Sequence, residues 1–140
     1  DTYILRLSTL FGHSPKMRFD LVPNLFIQSL KKNEIFTIYG GSQIRPFISL
    51  RFLTNVIKKI INEEILNNFF IYNIGQKNQN LTMLSLGKKI KKIFRVNFIH
   101  NKKQEDKRSY KVDFSKLYKR WNLKPDNLKL ELKKIYKNIK

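Results

Sequence analysis

Two arginines, Arg45 and Arg108, are the residues of this 140-residue sequence best suited to chemistry with a ligand. Arg45 follows the glycine pair Gly40-Gly41, and Arg108 lies in a separate, later segment. A guanidinium group donates two parallel hydrogen bonds to a phosphate or carboxylate, so two arginines meeting at one diphosphate would form an anion clamp. Sequence spacing does not bring them together, and by itself it favours two separate surface arginines.

The sequence contains no recognisable catalytic constellation beside these arginines. Cysteine is absent, and neither His13 nor His100 stands at metal-ligand spacing from another histidine. The acidic pair Glu63-Glu64 falls on a predicted helix and is expected to face solvent. The stretch Gly40-Gly41-Ser42 lacks the longer glycine pattern and the Lys-Ser/Thr of a phosphate-binding loop. The residues alone therefore predict no catalytic group and no metal site.

A predicted helix and a predicted strand precede Arg45 and would position it. Asp20 is a suitable N-cap, and Pro23 is tolerated in the first turn of the helix that follows. The apolar face of this helix is formed by Leu21, Leu25, Ile27 and Leu30. Residues 35–39 are β-branched and aromatic, so they predict a strand that ends at the glycine pair.

The first segment, residues 3–10, is apolar on both faces at its start and predicts a strand buried in a parallel sheet. No turn or cap precedes it in the sequence. Because a buried central strand needs covering elements, we expect the chain to be a piece of a larger protein. Standing alone, such a piece would expose an apolar sheet edge beside these residues.

Strands and helices alternate through the rest of the sequence. Apolar runs predict three strands, at 47–50, 69–74 and 96–99. Helical spacing of apolar residues predicts four helices, at 53–67, at 82–94 with Thr82 as N-cap, and after the caps Asp113 and Asp126. Residues 76–80 are typical of a polar loop, and residues 101–108 of a charged, flexible segment. This alternation indicates an α/β fold.

The formal net charge of +19 raises nucleic-acid binding as an alternative function. The charge is uneven: residues 1–85 carry +5 and residues 86–140 carry +14. Tyr110, Tyr118 and Trp121 lie in the lysine-rich part and are candidates for stacking on bases. Against this, only 7 of the 29 basic residues are arginine. Lysine, isoleucine and asparagine are also the residues that an A+T-rich genome accumulates.

The sequence also indicates the cellular compartment of the protein. No apolar run approaches the ~18 residues that a membrane span needs, and Asp1-Thr2-Tyr3 does not begin a signal peptide. The absence of cysteine removes disulfides from consideration. We therefore expect a cytoplasmic protein with no membrane partner.

Five ordered segments resemble the carboxyl-terminal half of the extended short-chain dehydrogenase/reductases, the NAD-dependent epimerase/dehydratase family that acts on nucleotide sugars. The segments are I-L-R-L-S-T-L-F-G from Ile4, M-R-F-D-L-V-P-N from Met17, I-Y-G-G and R-P-F-I from Ile38 and Arg45, Y-N-I-G from Tyr72, and D-K-R-S-Y-K-V-D-F-S-K-L from Asp106 with Trp121, Leu123 and Pro125. The resemblance covers nearly the whole chain. It implies the last strands of a Rossmann-type parallel sheet plus the small C-terminal substrate-binding subdomain.

In this family the amino half holds NAD or NADP through a glycine fingerprint and supplies a catalytic Tyr-x-x-x-Lys. The five glycines here cannot form that fingerprint, and the literal match from Tyr136 to Lys140 ends the sequence, where we interpret it as coincidence. Residues 1–140 would thus be the substrate-binding part, with the dinucleotide-binding half as its partner. Alone, the chain is expected to bind the cofactor weakly and to have no turnover. A vestigial fragment without activity is a further alternative.

The resemblance also implies a role for each matching residue. The nicotinamide side is assigned to Ser8 and Thr9, the sugar-phosphate side to Asp20 and Asn24, the nucleotide base to Ile38 and Tyr39, and the diphosphate to Arg45 and Arg108. Two positions depart from the family. Many members have Asn where Thr9 stands, and Phe52 replaces an Asp that usually opens the next helix, which would remove a helix cap.

Overall fold

The computed structural model describes residues 2–63, 69–103 and 106–139, and within them strands alternate with helices. The strands are β1 (Thr2–Leu7), β2 (Thr9–Phe11), β3 (Thr37–Tyr39), β4 (Ile44–Ser49), β5 (Phe69–Ile74), β6 (Asn80–Thr82) and β7 (Ile99–Asn101). The helices are α1 (Asn24–Lys31), α2 (Leu50–Ile61), α3 (Met83–Phe94), α4 (Ser115–Arg120) and α5 (Leu128–Asn138).

Parallel pairing dominates the strands and confirms the predicted α/β fold. The parallel pairs are β1 with β5, β2 with β4, and β3 with β7. Strand β6 pairs antiparallel with the other edge of β4. Parallel strands cannot be joined by a tight hairpin, so the helices lie in the connections between them.

The predicted strand over residues 3–10 is divided at Ser8. Strand β1 pairs with β5, whereas β2, one residue later, pairs with β4. The backbone N–H of Ser8 donates to the carbonyl of Ile74 at 3.0 Å, and its hydroxyl donates to the same oxygen at 2.9 Å. The chain therefore changes strand partner at Ser8, and a crevice opens where the two sheets separate.

The prediction that β1 is buried on both faces is wrong. Tyr3 and Leu5 pack into a core, but Ile4 is 41 % exposed and Leu7 is 46 % exposed. Within the described residues, β5 is the sole strand paired with β1. An apolar pattern specifies faces that favour burial, but burial also requires an element to cover them.

Two hydrophobic clusters form the core. The first joins α1, α3 and α5 and includes Phe26, Ile27, Ile38, Leu86, Ile90, Leu132 and Ile135. The second joins α2, β5 and α4 and includes Ile48, Phe52, Val56, Tyr72, Ile74, Leu117 and Trp121. Such burial removes apolar surface from water and stabilises the fold by about 25 cal/mol per Å².

Helix α1 begins later than predicted, and Asp20 is not its N-cap. The cap position is Pro23, which has no side-chain oxygen to offer. Asp20 instead accepts two hydrogen bonds from Arg18, two residues away, at 3.1 and 2.5 Å. Because α1 starts at Asn24, Asp20 stands three residues before the cap position, and its carboxylate pairs with Arg18.

The caps of α2 and α3 come from hydroxyl side chains. Thr82 accepts from the backbone N–H of Ser85 at 3.0 Å, which confirms the predicted cap. At α2 the Ser49 hydroxyl accepts from the backbone N–H of Phe52 at 3.0 Å. The helix is therefore capped despite the departure at Phe52.

The predicted acidic caps of the last two helices are wrong. Asn127 caps α5 by accepting from the backbone of Lys129, while Asp126 accepts from the Ser49 hydroxyl at 2.6 Å. Asp113 accepts from both the backbone N–H and the hydroxyl of Ser115, and the cap position of α4 is Phe114. Asp113 and Asp126 each stand one residue before the cap position, and each carboxylate accepts from a serine instead.

Element boundaries differ at several places. Strand β4 begins at Ile44, three residues before the predicted start, and β7 is shifted to Ile99–Asn101. Strand β6 was not predicted; its pairing with β4 is long-range. Helix α2 ends at Ile61, and residues 64–67 of the predicted helix lie outside the described residues. Among the described helices, none is both long and apolar enough to span a bilayer.

Candidate functional site

A cavity of about 420 Å³ opens where β1 and β2 diverge. Its lining includes Leu7, Ser8, Thr9, Gly12, Lys16, Arg18, Leu21, Asn24, Leu50 and Tyr110. Three of the predicted site residues, Ser8, Thr9 and Asn24, thus share one space. The cavity lies at the carboxyl ends of parallel strands, where open α/β sheets bind ligands.

Asn24 holds the loop that forms one wall of this cavity. Its side-chain oxygen accepts from the backbone N–H of Gly12 at 3.2 Å, and its amide donates to the carbonyl of Arg18 at 3.1 Å. Gly12 has φ +141°, which favours glycine, and an added Cβ would lie 3.1 Å from Leu50. The buried asparagine therefore fixes the loop between β2 and α1.

Arg18 brings positive charge to the same wall. Its pair with Asp20 lowers the pKa of that carboxyl, mainly through the hydrogen bond that Arg18 donates. Both side chains are largely exposed, so solvent screens the pair. Asp20 does not line the cavity, whereas its partner Arg18 does.

Arg45 is largely buried and fully oriented by its surroundings. Its side chain is 14 % exposed, and Nη1 donates to the carbonyl of Ile44 at 2.9 Å and to the carbonyl of Arg108. Its Nη2 donates to the carboxylate of Asp106 at 2.8 Å. The guanidinium carbon lies 5.3 Å from the ring centroid of Tyr110.

Arg108 reaches the same carboxylate from the solvent side. Its Nε and Nη2 donate to the two oxygens of Asp106, each at 3.0 Å, and its backbone N–H donates to Oδ1 at 3.0 Å. These bonds from Arg108, followed by the charge of Arg45, hold the pKa of Asp106 well below its usual range. The two arginines meet, and a carboxylate joins them.

Hydrogen bonds to β4 and β6 hold the segment after Arg108 beside Arg45. The N–H of Ile44 donates to the hydroxyl of Ser109 at 3.0 Å, and the N–H of Tyr110 donates to the carbonyl of Ile44 at 3.2 Å. Further along, the Asn80 side chain exchanges two hydrogen bonds with the backbone of Val112. Residues 109–112, which directly follow the predicted flexible segment, are therefore anchored along a sheet edge.

Tyr110 connects the arginine pair with the cavity. Its side chain is 50 % exposed, its ring lies against the guanidinium of Arg45, and it also lines the cavity beside Ser8 and Thr9. A cation held against an aromatic face is attracted by the ring's quadrupole. Tyr110 therefore contacts Arg45 and lines the cavity, whereas neither Arg45 nor Arg108 lines it.

Ile38 and Tyr39 occupy different environments. Ile38 is 1 % exposed, and its Cδ1 packs where a Cβ on Gly87 would stand, so this residue is closed to direct contact with a ligand. Tyr39 is 50 % exposed and precedes a loop held by Gln43, which donates to its carbonyl at 2.8 Å. Of the two, only the tyrosine offers a side-chain surface.

The aromatic residues of the nucleic-acid alternative are mostly engaged in the core. Trp121 is 8 % exposed, its ring centroid is 5.2 Å from that of Tyr72, and its Nε1 donates to Glu63 at 3.2 Å. Tyr118 packs against Phe52, and burial raises the pKa of its hydroxyl. Neither ring is free to stack on a base.

Other cavities of similar size lack this combination. One of about 460 Å³ is lined by His13, Lys31 and Lys32, and one of about 560 Å³ lies beside Trp121. Neither includes a residue to which the family resemblance assigns a role. The cavity beside Tyr110 is therefore distinguished by the residues that line it and not by its volume.

The sequence reasoning missed Asp106, Arg18 and Tyr110 as members of the site. The available signal was the D-x-R spacing of residues 106–108, in which an aspartate can accept from the backbone two residues on. The partner 61 residues away, Arg45, carries no such local signal.

No protein-family model matches the chain. Among solved structures, UDP-glucuronic acid 4-epimerase from Bacillus cereus, in complex with UDP-glucuronic acid and NAD, is 24 % identical, with a TM-score of 0.69 over 96 % of this chain and 44 % of that one. UDP-N-acetylglucosamine 4-epimerase from Bacillus cereus is 19 % identical, with a TM-score of 0.75 over 99 % of this chain and 46 % of that one.

A dehydratase has the same architecture. The dTDP-glucose 4,6-dehydratase from Bacillus anthracis str. Ames, in complex with NAD, is 16 % identical, with a TM-score of 0.73 over 97 % of this chain and 45 % of that one. The chain spans less than half the length of each of these structures. The resemblance inferred from the sequence is confirmed: the chain has the fold of the C-terminal part of the extended short-chain dehydrogenase/reductases, represented by nucleotide-sugar epimerases and dehydratases.

Proposed function

We propose that this chain is the substrate-binding portion of an NAD(P)-dependent nucleotide-sugar epimerase or dehydratase. It positions a nucleotide-diphosphate sugar and has no turnover by itself. The observation that carries the proposal is the meeting of Arg45 and Arg108 beside the cavity that Tyr110 borders. Two guanidinium groups at one place match the paired charges of a diphosphate.

The size of the cavity supports the proposal. Its volume of about 420 Å³ falls in the range of roughly 300–1,000 Å³ typical of small-molecule sites. Arg45 and Arg108 hold the diphosphate in this assignment, and Asn24, with the Arg18–Asp20 pair, borders the sugar-phosphate side. The exposed ring of Tyr39 faces the base, and the buried Ile38 holds the strand that carries Tyr39.

The chemical step requires groups that this chain does not supply. NAD(P), held by a partner portion, would supply the acceptor for a hydride from the sugar, and a tyrosine base there would take the hydroxyl proton. The Ser8 hydroxyl donates to the Ile74 carbonyl. In this proposal Ser8 and Thr9 border the nicotinamide at the edge of the cavity, but they do not form a dinucleotide-binding motif. We assign cofactor binding to a dinucleotide-binding partner portion.

The open edge of β1 supports that partner. Within the described residues one edge of β1 has no pairing strand, and a further parallel strand would cover that edge and the exposed Ile4 and Leu7. Intact mass of the protein captured from its source distinguishes a longer polypeptide from a separate partner. We place the protein in the cytoplasm, which cell fractionation checks.

The test is calorimetric titration of the purified chain with UDP-glucose, UDP and a DNA oligonucleotide. We expect the two uridine ligands to bind and Arg45→Gln to weaken both by about tenfold, because a charge-assisted hydrogen bond contributes about 1.5–3 kcal/mol. Arg120→Gln is the matched control: it removes one arginine from α4, away from the cavity, and should change neither affinity.

Three results would overturn the proposal. Salt-sensitive DNA binding without binding of either uridine ligand would establish the nucleic-acid alternative. Reduction of NAD+ by the chain with a nucleotide sugar would contradict the absence of turnover. Binding of none of the three ligands would leave the vestigial alternative as the better account.

A further inference from the structure

Asp106 is the most heavily used acceptor in the candidate site. Its Oδ1 accepts from the backbone N–H and the Nε of Arg108, both at 3.0 Å. Its Oδ2 accepts from Nη2 of Arg108 at 3.0 Å and from Nη2 of Arg45 at 2.8 Å. Four donors from two guanidinium groups and one backbone amide converge on a single carboxylate.

We propose that Asp106 is a positioning residue that orients both guanidinium groups toward a diphosphate without contacting that ligand itself. This inference rests on the proposed function. Neither the spacing of the residues nor the family resemblance assigned Asp106 a role.

The geometry leaves donors available while Asp106 stays in place. The carboxylate uses the Nε–Nη2 edge of Arg108, and within the described residues Nη1 of Arg108 donates no hydrogen bond. The Arg108 side chain is 84 % exposed, so its outer edge faces solvent. A phosphate therefore reaches Arg108 from outside without displacing Asp106.

The charges explain why a carboxylate is needed between the arginines. Two guanidinium groups in contact repel each other, and an intervening negative charge lets them approach. The trio keeps a net charge of +1, which still attracts a diphosphate. Holding the side chains in advance also lowers the cost of binding, because ordering one long side chain costs about 0.5–1.5 kcal/mol.

Two roles for Asp106 predict opposite results for Asp106→Asn. The substitution raises the net charge of the trio to +2. If Asp106 merely competes with the ligand for the arginines, binding of a diphosphate tightens. If Asp106 positions the arginines, binding weakens despite the added positive charge. The sign of the change separates the roles.

The experiment titrates the full chain with inorganic pyrophosphate and with UDP at one fixed salt concentration. We expect Asp106→Asn to weaken both about fivefold or more and Asp106→Glu to restore part of the affinity. In the Arg108→Gln background, Asp106→Asn should reduce the affinity for both ligands clearly less, because the aspartate acts through the arginines. Asp113→Asn is the matched control: it removes another exposed carboxylate of the same segment and should leave both affinities unchanged.

A second readout follows the arginines directly. In 15N-edited spectra of the ligand-free chain, the Nε–H signal of Arg108 should be distinct and slow to exchange, and Asp106→Asn should move it to the position of a solvated arginine. Unchanged or tighter pyrophosphate binding in Asp106→Asn would overturn the inference, as would failure of the unmodified chain to bind pyrophosphate. Asp106-dependent binding of pyrophosphate without binding of UDP would overturn the proposed function and support the positioning role.

Discussion

The guanidinium carbon of Arg45 lies 5.3 Å from the centroid of the Tyr110 ring, and the same ring borders the cavity beside Ser8. One aromatic side chain thus touches both parts of the candidate site. The contact depends on the hydrogen bond between the Tyr110 backbone and Ile44, the residue before Arg45. The position of the arginine is therefore linked to the segment that also carries Arg108.

Removal of the Tyr110 ring should weaken diphosphate binding. Tyr110→Ala deletes the face against which Arg45 is held, a contact worth about 0.5–1 kcal/mol at an exposed site. We expect UDP affinity to fall about two- to fivefold by calorimetry. Tyr110→Phe keeps the ring and should bind nearly as well; an equal loss in both variants would show that the hydroxyl, not the ring, matters.

Gly75 should tolerate no side chain. A Cβ there would lie 2.2 Å from the Phe114 ring and 2.5 Å from the Ser8 hydroxyl, and both neighbours are buried. We expect Gly75→Ala to lower the free energy of unfolding by about 1–3 kcal/mol in urea titrations, since overpacking forces neighbours to move.

Gly87→Ala is the comparison for that variant. Its added Cβ would meet the terminal Cδ1 of Ile38, at 2.1 Å, which can rotate away more easily than an aromatic ring. The gain in helix propensity within α3 offsets part of the strain, by about 1 kcal/mol. We therefore expect a smaller loss than for Gly75→Ala, and the reverse order would contradict the packing around Gly75.

Stability should fall in acid because three carboxyl groups are ionised more readily in the folded chain. The pKa values of Asp106, Asp20 and Asp113 are lowered from 3.8, mainly by hydrogen bonds from Arg108, Arg18 and Ser115 respectively. A lowered folded pKa stabilises above the unfolded value, and that contribution is lost as the pH falls through the folded value.

Thermal unfolding followed by circular dichroism from about pH 2 to 7 tests this expectation. The unfolding midpoint should change little above about pH 5 and decrease below about pH 4. The effect should be modest because all three carboxyls are solvent-accessible. Asp106→Asn should reduce the acid-dependent part of the decrease; a profile identical to that of the unmodified chain would show that Asp106 does not contribute.

The exposed edge of β1 should promote self-association. Ile4 and Leu7 present apolar side chains beside a strand edge that lacks a second partner strand within the described residues. We expect Ile4→Lys to increase the monomer fraction in light scattering, since a charge on an edge strand opposes pairing. Thr54→Lys, on exposed α2, is the control for added charge and should leave association unchanged.

The alternation of apolar runs and helical spacing was sufficient to predict the α/β class, the strand at 69–74 and the Thr82 cap. These features depend on residues within a few positions of one another, which the sequence displays directly. The family resemblance was also readable from ordered segments. Each of these predictions is confirmed by the fold.

Other features depended on competition between nearby groups, which spacing does not resolve. Asp20 had the residue type of an N-cap, but α1 starts at Asn24 and the Asp20 carboxylate pairs with Arg18. Asp126 stands one residue before the cap of α5, and its carboxylate accepts a hydrogen bond from the Ser49 hydroxyl, 77 residues away in sequence. The first partner is local in sequence, and the second is one that only the tertiary structure brings within reach.

What the sequence by itself determined was the set of groups: two arginines, a glycine turn, and apolar segments of the right lengths for an α/β fold. Only the tertiary structure decided that Arg45 and Arg108 meet, because the pairing of the 108–112 segment with β4 and β6 is long-range. It also decided that Asp106 stands between them. A carboxylate can join two guanidinium groups only after the backbone has brought them together, and no local pattern records that approach.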